Sequence, residues 1–257
     1  MIAKETYFIQ AELYKNSLKI SKRNTNILYY DCTSYFLEIE QESGIRQYGP
    51  SKEHRPNPIT QMGLFMDGDG IPLAFSITAG NTNEQVTLTP LEEKILEDFK
   101  LSKFIVCTDA GLASTANRKF NDKDERAFIT TQSIKKSPKH LMELALEPNN
   151  WHLSGDEKEY NINEIEKDEN IIKLYKDKIF FKERWIKEKD FEQKLIVTYS
   201  LKYKNYQRQI RNSQIERAKT AIANKSFKID KCNQNDFKRF IKKTNVTKDG
   251  EVANAKY

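Results

Sequence analysis

The feature that most constrains the fold is residues 103–109, KFIVCTD, an almost wholly apolar run directly after an amphipathic segment. That segment, 89–99, predicts a helix: Thr89 offers a cap hydroxyl, Pro90 suits the first helical position, and apolar side chains recur at helical spacing. A strand as apolar as 103–109 should be buried on both faces, like a central strand beside a helical layer. We therefore expect helix and strand to pack together in one domain.

Short β-branched and aromatic runs predict further strands at 27–30, 35–39, 60–66, 72–77 and 127–130. The sequence DGDG at 67–70 lies between two of them and is typical of a hairpin turn. A calcium loop is the alternative, although its later carboxylate ligands are missing. The order of elements predicts an α/β domain with a mixed sheet.

Composition excludes several classes of protein. The 257 residues are enough to bury a core, no run approaches eighteen apolar residues, and the first residues lack a signal-peptide pattern. Cys32, Cys107 and Cys232 are far apart, which favours reduced thiols over a disulfide framework or zinc site. We expect a soluble, cytoplasmic protein.

The net charge of +6 is unevenly distributed along the chain. Residues 1–130 carry 15 basic and 18 acidic side chains, and residues 131–257 carry 28 and 19. Residues 202–243 hold 13 basic side chains against three acids. Such a stretch would attract a polyanion through counterion release, and a solvated helical surface is the alternative.

Two aspartates, Asp31 and Asp109, end or follow apolar strand runs. Taken singly, each is well explained as an Asx-turn or a helix cap. If their strands are neighbours, the carboxylates would converge and repel unless a cation lies between them. A divalent metal such as Mg²⁺, which prefers oxygen ligands, is the common solution.

Six ordered segments carry a resemblance to a known family. They are 29–34 (YYDCTS), 48–58 (YGPSKEHRPNP), 61–66 (QMGLFM), 70–76 (GIPLAFS), 80–84 (GNTNE) and 106–112 (VCTDAGL). Together they resemble the DDE transposases of bacterial insertion sequences, in the broad insertion-sequence-four group. The resemblance runs from about residue 20 to the end of the chain.

The resemblance implies a ribonuclease H-like fold with its first acid on the first strand and its second after the fourth. Asp31 and Asp109 match those positions. In this group a largely β insertion follows the fifth strand, here 127–130. We therefore expect a helical lead-in at 1–26, a partial catalytic core at 27–130 and an incomplete basic insertion at 131–257.

The family chemistry is metal-dependent cutting and joining of DNA. Carboxylates hold two Mg²⁺ (or Mn²⁺) ions, one of which activates a nucleophile while the other stabilises the leaving oxygen. The implied partners are double-stranded DNA, as element ends and target, and further copies in a homo-oligomer or in mixed assembly with intact transposase. The implied location is the cytoplasm, in association with the nucleoid, without membrane contact.

The third acid of the group lies in a Tyr-x-x-Arg-x-x-x-Glu-x-x-x-x-x-x-Lys signature, and this sequence departs from it. Tyr206 is followed at +3 by Gln209 and at +7 by Ser213. We therefore expect a truncated chain or fragment that lacks the third acid and is inactive alone. Glu216 is the remaining candidate, with surface ion pairing to Arg217 or Lys219 as the preferred alternative.

Residues 202–223 predict a basic helix of the insertion. We expect Tyr203, Tyr206 and Ile210 to point inward. Four basic residues would then face solvent or DNA phosphate: Arg208, Arg211, Arg217 and Lys219.

Three further features have two interpretations each. His54 and Arg55 would approach the scissile phosphate or belong to an exposed proline-rich loop. Trp151 and Trp185 would stack on an unpaired or flipped base, or, as we prefer, form a small core of the insertion. Two alternatives to a transposase remain: a DNA-binding product without catalysis, and a nuclease of the same fold using two aspartates.

Overall fold

The computed structural model describes residues 5–51, 56–188, 190–224, 236–246 and 252–256, with the backbone alone for 242–246 and 252–256. The chain divides into two compact units, Met1–Met142 and Glu143–Tyr257. Each unit has its own cluster of buried apolar side chains. Within the described ranges, no helix is both long enough and apolar enough to span a membrane.

The first unit is built on a five-stranded sheet with helices between and beside its strands. Its elements are α1 (Thr6–Ser17), β1 (Ile27–Phe36), β2 (Ile59–Asp67), β3 (Pro72–Ala79), α2 (Leu88–Asp98), β4 (Ile105–Thr108), α3 (Thr115–Asn121) and β5 (Ala127–Thr130). Strands are present at the other predicted places, but 27–30 and 35–36 lie in one long strand, β1, and 37–39 lies outside it.

The strand order is β3-β2-β1-β4-β5. The first three strands pair antiparallel, whereas β4 pairs parallel to β1 and β5 parallel to β4. The predicted α/β class with a mixed sheet is therefore confirmed, and the arrangement is consistent with a ribonuclease H-like core.

The predicted helix 89–99 is present but begins earlier, at Leu88. The side chain of Thr89 is not its cap: the cap position belongs to Thr87, whose hydroxyl hydrogen-bonds instead to the Glu84 carbonyl and the buried Tyr30 hydroxyl. Pro90 still lies in the first turn, where backbone N–H groups have no intrahelical acceptor. The N–H that proline lacks therefore costs the helix no hydrogen bond. The buried face of α2 packs on Leu28 and Val106 in one core cluster.

The DGDG segment forms the turn between β2 and β3, as predicted for a hairpin. Asp67 Oδ1 accepts hydrogen bonds from the amides of Asp69 and Ile71, and Oδ2 accepts one from Arg23 Nε at 2.5 Å. Burial raises the pKa of Asp67, but the hydrogen bonds from Arg23 and the turn amides outweigh it and lower the pKa. The calcium-loop alternative is unnecessary, because both oxygens already have protein partners.

Side chains of α1 cover the outer edge of the sheet. β3 is an edge strand, and Gln10 spans the backbone of Phe75: its Nε2 donates to the Phe75 carbonyl at 3.2 Å, and its Oε1 accepts from the Phe75 amide at 2.6 Å. Edge strands expose unpaired backbone groups that can pair with other chains. Gln10 therefore replaces a neighbouring strand at this position.

The two faces of the sheet differ in burial. Leu28, Tyr30 and Cys32 of β1 are buried, whereas Tyr29 and Asp31 between them are exposed. On β4 only Val106 is buried, and Ile105 and Cys107 are half-buried. The expectation that β4 is buried on both faces is therefore wrong, because the strand alternates between a packed face and an open one.

The second unit contains α5 (Ile162–Ile165), α6 (Glu169–Tyr175), β6 (His152–Leu153), β7 (Ile179–Glu188), β8 (Phe191–Ser200), α7 (Leu201–Asn224), β9 (Lys242–Val246) and β10 (Val252–Lys256); α4 (Lys139–Leu146) precedes them across the unit boundary. β6, β7 and β8 form one antiparallel sheet, and β9 pairs with β10. Phe180 and Trp151 are the largest side chains of its core.

Candidate carboxylate site and nucleic-acid interface

Asp31 lies in the middle of β1 on the open face of the sheet. Its neighbours Tyr30 and Cys32 point into the core, so alternation along the strand directs the carboxylate to solvent. Asp31 Oδ1 accepts a hydrogen bond from the Cys32 amide at 2.8 Å. The strand thus presents an exposed acid from a rigid element.

Asp109 directly follows β4 and is exposed. Its Oδ1 accepts from the Gly111 amide at 2.9 Å, and its carbonyl accepts from the Leu112 amide at 3.3 Å. These bonds form the Asx-turn that the sequence allowed as a local explanation. The turn uses one carboxylate oxygen, so it does not by itself decide whether Asp109 also serves a site.

The pairing of β1 with β4 bears on the spacing of the two aspartates. Ile27 pairs with Ile105 and Tyr29 with Cys107, a constant offset of 78 residues. Asp31 and Asp109 have the same offset, but they lie two residues beyond the last pair of this ladder, and Asp109 follows the end of β4. Neighbouring strands lie about 4.8 Å apart, a spacing that allows two carboxylates to share a cation.

The donor set suits Mg²⁺ or Mn²⁺, which take carboxylate oxygens and keep water in their remaining positions. In the part of the chain that the structure describes, no three acidic, histidine or cysteine side chains form a group able to hold a metal. The two exposed aspartates, Asp31 and Asp109, are the candidate ligands.

The predicted basic helix is present as α7, but its inward face is different from the one expected. Tyr203 and Tyr206 are 64% and 56% exposed, and the buried positions are Leu201, Gln214 and Ala218. The expectation that both tyrosines point inward is therefore wrong. The helix lacks a continuous apolar stripe, so small and polar side chains make the packed face.

The four predicted basic residues of α7 divide between two sides of the helix. At 3.6 residues per turn, Arg208, Arg211 and Lys219 fall on one side, and Arg217 falls opposite Arg208. We call the first three the basic face. Arg217 is therefore not part of the basic face.

Two acids partly neutralise the basic face. Glu166 accepts hydrogen bonds from Tyr199 and Lys204 and lies 3.6 Å from Arg208 Nη2. Glu216 pairs with Lys219 at 2.9 Å, which confirms the preferred interpretation of Glu216 as a surface ion-pair partner. Among the described residues, no carboxylate lies within ion-pair distance of Arg211.

The two tryptophans have different environments. Trp151 is 2% exposed in the core of the second unit, as preferred from the sequence. Trp185 is 62% exposed on β7, so the core interpretation is wrong for this residue. Its strand position alternates away from the buried Phe180 and Lys182, and Lys194 Nζ lies 5.3 Å from its ring centroid.

Some predicted residues lie outside the described ones: His54 and Arg55 after residue 51, and Cys232 after residue 224. Conversely, sequence reasoning missed Glu166 and the threonines at the ends of β4 and β5. Thr108 and Thr130 are a directly paired couple in the sheet. A signal was present, because each ends a predicted strand.

No family model matches the chain, and no curated protein matches it. Among solved structures, the chain is similar to the Mos1 transposase paired-end complex with left transposon end (15% identity, TM-score 0.31, covering 50% of this chain and 42% of that one). It is also similar to the piggyBac transposase synaptic complex with hairpin DNA (14% identity, TM-score 0.33, covering 47% of this chain and 25% of that one). A third similar structure is the catalytic domain of Mos1 mariner transposase (14% identity, TM-score 0.28, covering 55% of this chain and 67% of that one). The match thus spans less than half of the first two proteins.

Proposed function

We propose that the chain is a DNA-binding protein of the DDE transposase kind, from the insertion-sequence-four-like group, with Asp31 and Asp109 as its metal-binding acids. The observation that carries the proposal is the parallel pairing of β1 with β4, whose constant offset of 78 residues is also the offset between the exposed Asp31 and Asp109. The sequence resemblance adds the chemistry, and the basic face of α7 adds a surface suited to phosphate.

Asp31 and Asp109 would hold Mg²⁺ or Mn²⁺ through carboxylate oxygens. A bound divalent ion would activate a water or a 3′ hydroxyl as nucleophile and stabilise the leaving oxygen of a phosphodiester. The chain's own contribution is to fix the two acids at the open face. Arg208, Arg211 and Lys219 would bind the phosphate backbone of double-stranded DNA.

A second candidate is DNA binding without cleavage. It is favoured because, among the described residues, no three acidic, histidine or cysteine side chains form a group that could hold a metal ion. Such a chain would bind element DNA in the cytoplasm, in association with the nucleoid, and would interfere with intact transposase by mixed assembly. Metal-dependent cutting without end specificity would instead support a two-aspartate nuclease.

Calorimetric titration of the full chain with Mn²⁺ tests the carboxylate site. We expect weak binding, tighter for Mn²⁺ than for Mg²⁺, and its loss in both Asp31→Asn and Asp109→Asn. Asp69→Asn is the matched control, because Asp69 is an exposed aspartate in the β2–β3 turn of the same sheet. Unchanged affinity in Asp31→Asn would remove that residue from the site.

A further inference from the structure

A chain of hydroxyl groups connects the ends of β4 and β5 to Asp109. Thr108 Oγ1 donates to Thr130 Oγ1 at 3.0 Å, and Thr130 Oγ1 donates to the Asp109 carbonyl at 3.2 Å. The two threonines are register partners in the parallel pair. The last sheet contact before Asp109 is therefore made by side chains as well as by backbone.

These bonds act on the turn that orients the Asp109 carboxylate. The Asp109 carbonyl also accepts from the Leu112 amide, and Asp109 Oδ1 accepts from the Gly111 amide at 2.9 Å. The peptide after Asp109 is thus held by Thr130 on one side and by the turn on the other. A shift of this peptide would move the amide that fixes Oδ1.

The space around the carboxylate is also restricted. A Cβ added at Gly111 would lie 3.2 Å from Asp109 Oδ1, tighter than an ordinary contact. The carboxylate therefore lies close against the turn backbone, and its position depends on where that backbone is held.

We infer that Thr130 is a positioning residue for the metal site, because its hydroxyl fixes the strand end from which Asp109 projects. Thr108 supports it by orienting that hydroxyl. The effect that we expect on metal affinity rests on the proposed function. Partners that orient metal ligands typically change affinity about 10- to 100-fold when removed.

The test compares four variants of the full chain by Mn²⁺ titration, thermal unfolding, and the temperature coefficient of the Gly111 amide proton by NMR. Thr130→Val should weaken Mn²⁺ binding about tenfold and loosen the Gly111 hydrogen bond. Thr130→Ser, which keeps the hydroxyl, should restore both. Thr108→Val should have a smaller effect in the same direction, because the Thr130–Asp109 bond remains, and it replaces Thr130→Val if that variant does not fold.

Thr78→Val is the matched control, since the Thr78 hydroxyl is buried in the same sheet without a hydrogen-bond partner among the described residues. The inference is overturned if Thr130→Val leaves both affinity and the Gly111 amide unchanged, or if Thr78→Val has the same effect. If the unmodified chain binds no Mn²⁺, the metal proposal fails, and the Gly111 amide alone decides whether Thr130 positions Asp109.

Discussion

Gly63 of β2 leaves room for the ring of Tyr30 on the neighbouring strand. A Cβ at Gly63 would lie 2.1 Å from the Tyr30 hydroxyl, which is fixed by its bond to Thr87. Gly63→Ala should therefore reduce the free energy of unfolding by about 1–3 kcal/mol through overpacking, measured by urea denaturation.

The cause can be separated by a double-mutant cycle with Tyr30→Phe, which removes the nearest atom. In the Phe background, Gly63→Ala should reduce stability less. Equal losses in the two backgrounds would show that the clash with the hydroxyl is not the cause.

Glu92 and Arg126 form a buried ion pair at 2.9 Å. Burial raises the pKa of Glu92 to about 7, although Arg126 opposes the shift. A raised carboxyl pKa means that the folded state keeps a proton that the unfolded state has lost. The contribution of Glu92 to stability is thus largest below its ordinary pKa of 4.5 and decreases as the pH rises towards 7.

Arg126→Met should therefore lower the free energy of unfolding more at pH 8 than at pH 5. At pH 8 it leaves a buried carboxylate without its cation, a loss of about 3–5 kcal/mol, whereas at pH 5 the carboxyl is protonated. Lys103→Met is the control, because its pair with Glu125 is exposed and contributes less than about 1 kcal/mol. Chemical denaturation at both pH values checks this, and a pH-independent loss for Arg126→Met would contradict it.

Residue identities marked Asp31 and Asp109 as acids beside apolar runs, and the family resemblance then selected them as site candidates. Residue identities were not enough to identify Glu166, Thr108 or Thr130. These residues act through partners distant in sequence: Glu166 meets Lys204 across 38 positions, and Thr108 meets Thr130 across 22. Such pairings depend on strand register and helix placement, which single residues do not encode.

At the scale of elements, the Gln10 side chain should stabilise β3, the edge strand of the sheet. Gln10→Ala removes two hydrogen bonds to Phe75, and each contributes about 0.5–1.5 kcal/mol. We expect a loss of about 1–3 kcal/mol and faster hydrogen exchange at the Phe75 amide.

Glu12→Ala is the matched control on α1, since Glu12 makes an exposed pair with Lys15. It should change the free energy of unfolding by less than about 1 kcal/mol and leave the Phe75 amide of β3 protected from hydrogen exchange. Similar exchange at Phe75 in both variants would mean that α1 as a whole, rather than Gln10, protects the strand.

Elements were more predictable than their faces. The strands β1–β5 and α2 follow from periodicity and local composition, since these signals are local. The helix α7 was expected as a basic helix, whereas β6–β10 were not predicted. The predictions that Tyr203 and Tyr206 point inward and that Trp185 is buried were wrong, because aromatic side chains were assumed to be buried. In α7 the packing partners accept Gln214 and Ala218, and in β7 the alternation directs Trp185 outward.

At the scale of the whole molecule, the concentration of positive charge predicts salt-dependent DNA binding. Arg211→Ala in the full chain should weaken binding to a mixed-sequence duplex and reduce the log–log salt slope by about 0.9. Fluorescence anisotropy between 50 and 200 mM salt, a range of about fourfold, checks this. Sequence preference should change little, because phosphate contacts carry none.

Arg217→Ala is the control, with the same charge change on the opposite side of α7. It should leave the slope close to that of the unmodified chain. Equal reductions in slope for the two variants would show that binding responds to total charge rather than to the basic face.

The parallel pairing of β1 and β4 has a consequence for variation in chain length. In the proposed site, the spacing of Asp31 and Asp109 would depend on which residues of β1 and β4 pair and not on the 77 residues between the two acids. Related chains should therefore tolerate insertions and deletions in the loops between these strands. A single-residue insertion within β4, before Asp109, would turn that carboxylate to the opposite face of the sheet.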